Sequence, residues 1–312
     1  MGPTRQREAL DHGRTKVTTP DGRIFTIDRL IDPNDPRVDE SHHLIQAFDS
    51  SAVDSLDTIR TAMRGVVVGD EASEDIPLLV HVIEDRNGLT VGTAHSAILP
   101  FRDDQGEDSE TSGFLLDAYE FIKESARDQG LGTELWRQRL IDAATHAADR
   151  GLSIEAIVAE APAGTEAYLN RIGLQRCYYE AEDGCLHEVP YRQLVLASDW
   201  DKTTGRPLED KRPVPFHLMI ACLDQRQVIR DDELLGIVRG IVGYDSEQES
   251  GYFTNTLAYE VHLGIIERDL TDFVTALAQA EGGRGTLLSA QEREDYRSKH
   301  GPESVVEHVV ET

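Results

Sequence analysis

Cysteine is scarce in this chain: there are three in 312 residues, at 177, 185 and 222, and none forms a Cys-x-x-Cys pair. That scarcity argues against a disulfide-stapled scaffold and a thiolate zinc site, and a reducing, cytoplasmic setting is expected. Cys177 lies in an apolar strand-like run and reads as core filler rather than as a nucleophile. Long apolar runs are missing too. None approaches the ~20 residues of a membrane span, and the N-terminus has no signal-type apolar core, so no membrane partner is expected. Positive charge is short, at 31 Lys plus Arg against 58 Asp plus Glu and a net charge of -27. This balance argues against general binding to a nucleic-acid backbone. The histidines at 42, 43, 81, 95, 187 and 217 lack the i, i+4 pairing of a helical metal site, and no metal is expected. What is present is an apolar share of 39% and enough length for two domains, or for one domain with an extension.

Residues 1–20, polar and carrying Gly2, Pro3, Gly13 and Pro20, read as a loose lead-in. From Arg23 to Asp28 apolar and polar residues alternate as in a strand. Asp35-Pro36 then supplies an N-cap and a first-turn proline for a helix through Phe48. Val53, Leu56, Ile59 and Met63 repeat at helical spacing, with Ser50 or Ser51 able to cap them. Two β-rich runs, Leu78 to Ile83 and Leu89 to Leu99, flank Asn87-Gly88, a hairpin signal. After a polar, acidic loop from Arg102 to Ser112, Phe114 to Ile122 predicts a strand. Trp136, Leu140, Ala143, Ala144 and Ala147 then predict one helix face that ends at Gly151.

Further on come a strand over Ile154 to Ala161, a short helix over Gly164 to Arg171 closed by Gly173, and strands over Leu174 to Glu180 and Glu188 to Leu196. This order is that of a mixed α/β sheet with helices on its faces. The division expected is residues 21–198 as the sheet domain, 199–213 as a linker and 214–312 as a mainly helical extension. Val214 to Ala221 adds a strand to that extension, and the tail from Glu281 reads as partly mobile.

The turn Arg127-Asp128-Gln129-Gly130-Leu131-Gly132-Thr133, between a strand and a helix, carries the chemistry. Glycines there admit a close ligand, and the first amides of a helix have no internal partners, so the turn suits a phosphate. Arg127 adds a local positive charge. With Gly-hydrophobic at Gly173-Leu174 after the later helix, this motif resembles the GNAT superfamily of acyl-coenzyme A dependent N-acetyltransferases across roughly Arg23 to Leu196. The resemblance implies a mostly antiparallel α/β sheet with flanking helices. It also implies acetyl-CoA as acyl donor, with its pyrophosphate held by Arg127 through Thr133 and backbone groups of Ile122 and Glu124 facing the ligand.

By the same resemblance the acceptor is a primary amine, on a small molecule or a peptide, attacking the thioester directly. Glu120 is then the candidate base, with Asp117 in its place if the register differs. Tyr168 is the candidate acid for the departing thiolate, although the family's usual tyrosine position, four residues before the glycine, is Leu169 here. Tyr119, Tyr178 and Tyr179 are further acids left unranked. The helical extension is expected to cap the acceptor cleft or to form a homodimer interface. The competing reading is a non-catalytic acyl-CoA-binding regulatory module. A duplicated second half is disfavoured, because no second glycine motif follows residue 200 and Gly240 and Gly243 sit in an apolar helix pattern.

Overall fold

Asn87-Gly88 makes the turn its residue types dictate. Gly88 adopts φ 76°, and Asp85 Oδ1 accepts the amides of Asn87 at 2.8 Å and Leu89 at 3.0 Å. The computed structural model that contains this hairpin describes residues 6–10, 13–48, 55–64, 67–68, 71–72, 78–103, 105, 107–161, 165–181, 183–189, 191–193, 200–208, 214–249, 253–278 and 284–307. Val53, Ser50, Ser51, Gly164 and Leu194 to Leu196 lie outside them. The chain divides into two compact units, 1–98 with 117–151, and 99–116 with 152–312.

The first unit is a sheet in the order β1 (Gln6–Ala9), β2 (Thr15–Thr18), β3 (Ile24–Leu30), β4 (Leu78–Asp85), β5 (Thr90–Arg102) and the end of β6 (Asp108–Ile122). The pairs from β1 to β5 are antiparallel. Helices α1 (Pro36–Phe48), α2 (Leu56–Met63) and α3 (Leu131–Asp149) accompany it. Asp35 Oδ1 accepts the Arg37 amide at 2.9 Å, the cap foreseen for α1, while α2 is capped by Ser55. Val17, Phe25, Ile27, Ile83, Val91, Leu131 and Leu135 share one core cluster.

Three expectations are corrected in this unit. Residues 1–20 are not a loose lead-in throughout: β1 and β2 extend the sheet, and Val17 is fully buried. Alternation over four residues is too short to stand out in a polar segment. The acidic loop is shorter than expected, because β5 runs on to Arg102 and β6 begins at Asp108. The buried face of α3 is Leu131, Leu135, Trp136, Gln138, Arg139, Ala143 and Ala147; Leu140 is half-buried and Ala144 exposed.

The second unit is built on β7 (Ser153–Ala161), β8 (Gln175–Glu180), β9 (Leu186–Glu188) and β10 (His217–Cys222), with α4 (Glu166–Arg171) between β7 and β8. β10 pairs antiparallel with both β7 and β8, lying between them. The expected linker at 199–213 therefore does not end the sheet; the strand after it is central to it. A continuous apolar run such as Leu218 to Cys222 does not announce which neighbours it will join. Beyond lie β11 (Val228–Arg230), α5 (Asp231–Glu249), α6 (Thr256–Ala278), β12 (Arg284–Leu288), α7 (Ala290–His300) and β13 (Val305–Val306).

Among the described residues after Val214 stand the helices α5, α6 and α7, and the chain from Arg284 to Val306 forms β12, α7 and β13. β12 pairs antiparallel with β8 and β11, and β13 pairs parallel with β9. Gly240 is explained by approach. A Cβ there would lie 2.9 Å from Pro100 O and 2.9 Å from the Phe114 ring, so α5 packs on the β5–β6 hairpin tip only where side chains are missing.

Candidate functional site

The strand-to-helix turn is built by two residues in left-handed backbone. Asp128 has φ 61° and Gly130, the N-cap of α3, has φ 70°. Glycine takes that conformation without a Cβ penalty, and aspartate is among the side chains that tolerate it. Gly130 has no side chain with which to cap α3. The amides of Leu131, Gly132 and Thr133 stand in its first turn, where helix geometry provides no intrahelical acceptor. With the helix dipole they leave this end electropositive, which favours negative charge.

Neighbouring residues fix that turn. Gly92 on β5 lets β6 come close, since a Cβ there would lie 3.2 Å from Phe121 O and 3.3 Å from Ile122 Cγ1. Lys123 donates its amide to Val91 O at 2.8 Å. By strand alternation the Ile122 peptide then faces the opposite edge, where its carbonyl accepts Arg127 Nε at 2.9 Å. The Arg127 guanidinium sits 5.9 Å from the Phe121 ring centroid. Glu124 opens a short 3-10 turn to Ala126 and is exposed; Gln129 is half-buried and Thr133 exposed.

Glu120 is in a setting the sequence does not announce. Arg139, fully buried on α3, donates to Glu120 Oε2 at 3.0 Å, to Asp117 Oδ1, and to Ser96 Oγ at 2.7 Å. Trp136 lies against the same guanidinium, 4.9 Å from its ring centroid. Asp117 and Glu120 are three residues apart, and unbroken alternation would turn them to opposite faces. Their common partner means that the alternation breaks between them, so both candidate bases meet at one guanidinium. Arg139, the partner of both candidate bases, is the residue that sequence reasoning passed over. A hydropathy pattern scores arginine as surface, and only the two carboxylates reveal how its charge is buried.

Beside this cluster, Ser41 Oγ lies 2.8 Å from His95 Nε2 and 2.5 Å from Thr93 Oγ1, and the Tyr119 ring stands edge-on to His95. Burial first, then the nearby His42 and Arg139, push His95 down to about 3, so it is neutral at physiological pH. His81 Nε2 lies 2.8 Å from Asp142 Oδ2, and its pKa is likewise depressed by burial. His217 Nδ1 lies 2.6 Å from Glu188 Oε1. Among the described residues no group of three or more His, Cys, Asp or Glu could hold a metal ion. Cys177 is buried, and burial pushes its thiol well above the ordinary range, as befits a core residue.

Tyr168 lies in the second unit, half-buried on α4, while Leu169 turns into the core. Gly173 closes that helix at φ 98°. Tyr178 is fully buried and its hydroxyl donates to Glu307 at 3.3 Å. Among the described residues no helix is long and apolar enough to cross a membrane.

No family model and no curated protein matches the chain. Among solved structures it is similar to the NatC complex bound to Gag peptide and CoA, at 15% identity over 64% of this chain and 98% of that chain, with TM-score 0.39. It is similar to the ribosomal-protein-S18-alanine N-acetyltransferase from Escherichia coli, at 13% identity over 63% and 90% of the two chains, with TM-score 0.32. It is also similar to an aminoglycoside acetyltransferase from an uncultured soil metagenomic sample, solved with sisomicin, at 15% identity over 47% and 84%, with TM-score 0.32.

Proposed function

We propose that this chain is a GNAT-type N-acetyltransferase that moves an acetyl group from acetyl-CoA to a primary amine by direct attack in a ternary complex. The observation that carries the proposal is the start of α3. Two left-handed residues, Asp128 and Gly130, open a helix without a side-chain cap, so first-turn amides are presented to an anion. The residues present suit a coenzyme A diphosphate: Gly130, Leu131, Gly132 and Thr133 offer amides, with Asp128 and Gln129 shaping the turn and Arg127 adding charge. Diffuse repulsion from the acidic protein is screened within about 10 Å at 0.1 M salt, whereas charge-assisted hydrogen bonds at the turn act at contact.

Bound there, the thioester supplies an activated acyl carbon. The chain's own part is to orient it and to handle two protons. The acceptor amine, with a reference pKa of about 10.4 for a lysine-like group, must lose one. Glu120, or Asp117 beside it, takes that proton while held by Arg139. The Ile122 amide, on the edge of β6 away from β5, donates to the oxygen that gains charge during attack. Tyr168 returns a proton to the thiolate.

Thermal-shift titration with coenzyme A and acetyl-CoA, followed by thiol release across a panel of small and peptide amines, tests the reading. Saturable thiol release with an acceptor is expected, and Gly130→Val should abolish the ligand-induced shift while leaving a cooperative unfolding transition. An unchanged shift in Gly130→Val would remove the ligand from this turn. Tight binding without turnover across the panel would make the chain a binding module instead. Glu120→Gln should lower kcat roughly 100-fold or more with binding retained; no change would pass the role to Asp117.

A further inference from the structure

α4 is six residues long, from Glu166 to Arg171. A helix of this length has no stability of its own and must be held by its neighbours. Leu169 anchors it to the core on one side. The other anchor is Glu166, whose Oε2 accepts Arg176 Nη2 at 2.5 Å and whose Oε1 lies 2.6 Å from Arg293 Nη1. Arg176 belongs to β8 next in sequence. Arg293 belongs to α7, far along the chain.

The C-terminal segment is in turn bound into the same cluster. Glu307 Oε1 lies 2.9 Å from Arg293 Nε, 3.3 Å from Arg297 Nη2 and 3.6 Å from Arg176 Nη1, and accepts the Tyr178 hydroxyl at 3.3 Å. Arg176 also reaches Glu188 at 3.4 Å, and Glu188 meets His217. The Arg293 and Arg176 side chains are only 6% and 10% exposed, so these pairs are largely shielded from solvent, unlike surface pairs. The start of α7 is independently fixed by a capping box: Ser289 Oγ accepts the Glu292 amide, and Glu292 Oε2 accepts the Ser289 amide at 2.8 Å.

We propose that the C-terminal segment from α7 to Glu307 is a positioning clamp for α4, in which Arg293, acting through Glu166, sets the helix turn that presents Tyr168. The inference rests on the reading of Tyr168 as the acid given above. Arg293 is a positioning residue. Tyr168 follows Glu166 by two residues in the same short helix, so a shift of Glu166 is passed on to it within one turn. Undocking the C-terminal segment would leave Arg176 as the remaining guanidinium on Glu166 and slow turnover without touching the acyl-donor turn.

The test uses the full chain with Arg293→Met, Arg293→Lys, Glu166→Gln and Tyr168→Phe, and Arg293→Met combined with Tyr168→Phe. Glu166→Gln keeps the side-chain shape should Arg293→Met fail to fold. Amide hydrogen exchange over 166–171 is expected to accelerate about tenfold or more in Arg293→Met and Glu166→Gln, with α3 unchanged. Turnover with acetyl-CoA should fall roughly 10- to 100-fold in kcat at an almost constant KM for the donor, with partial rescue in Arg293→Lys. The double variant should be no slower than Tyr168→Phe alone, because both act on one group. Unchanged exchange in α4 while Tyr168→Phe still slows turnover overturns the clamp. Full turnover in Tyr168→Phe overturns the acid assignment and the catalytic part of the clamp with it, even where exchange accelerates. Multiplying losses in the double variant assign Arg293 a purely structural role.

Discussion

Arg139 is the most consequential single residue. Its guanidinium is fully buried and answered by Asp117, Glu120 and Ser96, so it joins the helix that begins at the glycine turn to the strand that carries both candidate bases. Removing one partner of such a cluster leaves charge stranded in the interior. Arg139→Met should therefore cost about 3–5 kcal/mol in urea unfolding, and Arg139→Lys should recover little, since one ammonium cannot answer three partners in a planar fork. A loss below about 1 kcal/mol would mean that water reaches the carboxylates. His95 gives a second test with a definite sign. Burial holds it at about 3 in the folded chain, against an ordinary value of about 6.5. Above the ordinary value both states carry a neutral ring. Below it the unfolded chain binds a proton that the folded chain refuses, so stability falls as pH drops from about 6.5 toward 3, by up to ~1.4 kcal/mol per pH unit. Between pH about 6.5 and 5 the carboxylates with depressed values stay ionised, and His81 shares the same trend. His95→Gln should flatten the slope there; an unchanged slope would assign it to other groups.

Among the elements, those with local punctuation are legible in the sequence. α1 is announced by Asp35-Pro36, the β4–β5 hairpin by Asn87-Gly88, and the end of α3 by Gly151, which takes φ 75°. The strand-to-helix turn before α3 is legible for the same reason, because Gly130 and Gly132 mark a backbone requirement rather than a partner. What is illegible depends on partners distant in sequence. β1, β2 and β12 are short strands whose pairing makes them, and Arg139 reads as surface until Asp117 and Glu120 arrive from β6. Two glycines in the long helices separate local propensity from packing. Alanine exceeds glycine in helix propensity by about 1 kcal/mol. A Cβ at Gly264 on α6 would meet nothing within 4 Å, so Gly264→Ala should stabilise the chain by about 0.5–1 kcal/mol. At Gly240 on α5 the same change drives a methyl against Pro100 O and the Phe114 ring, and it should destabilise by about 1–3 kcal/mol. Thermal unfolding of the two variants side by side decides this; equal signs would refute the close packing of α5.

For the whole molecule the dominant quantity is a net charge of -27 over 312 residues. Self-repulsion of that size opposes compactness, and added salt relieves it over distances beyond about 10 Å while leaving buried pairs such as Arg139 with Asp117 nearly untouched. Raising sodium chloride from about 0.01 M to about 0.5 M should therefore raise the unfolding midpoint. A fall would mean that exposed ion pairs outweigh the repulsion. The placement of β10 has a consequence for biosynthesis. β7 and β8 are made early, yet the strand that lies between them ends at Cys222, so a nascent chain emerging at about 5–20 residues per second holds unpaired edges for some seconds. Open edges of this kind invite pairing with other chains. An expression product cut at residue 213 should accordingly be recovered as aggregate, whereas one that retains β10 to β13 should remain dispersed.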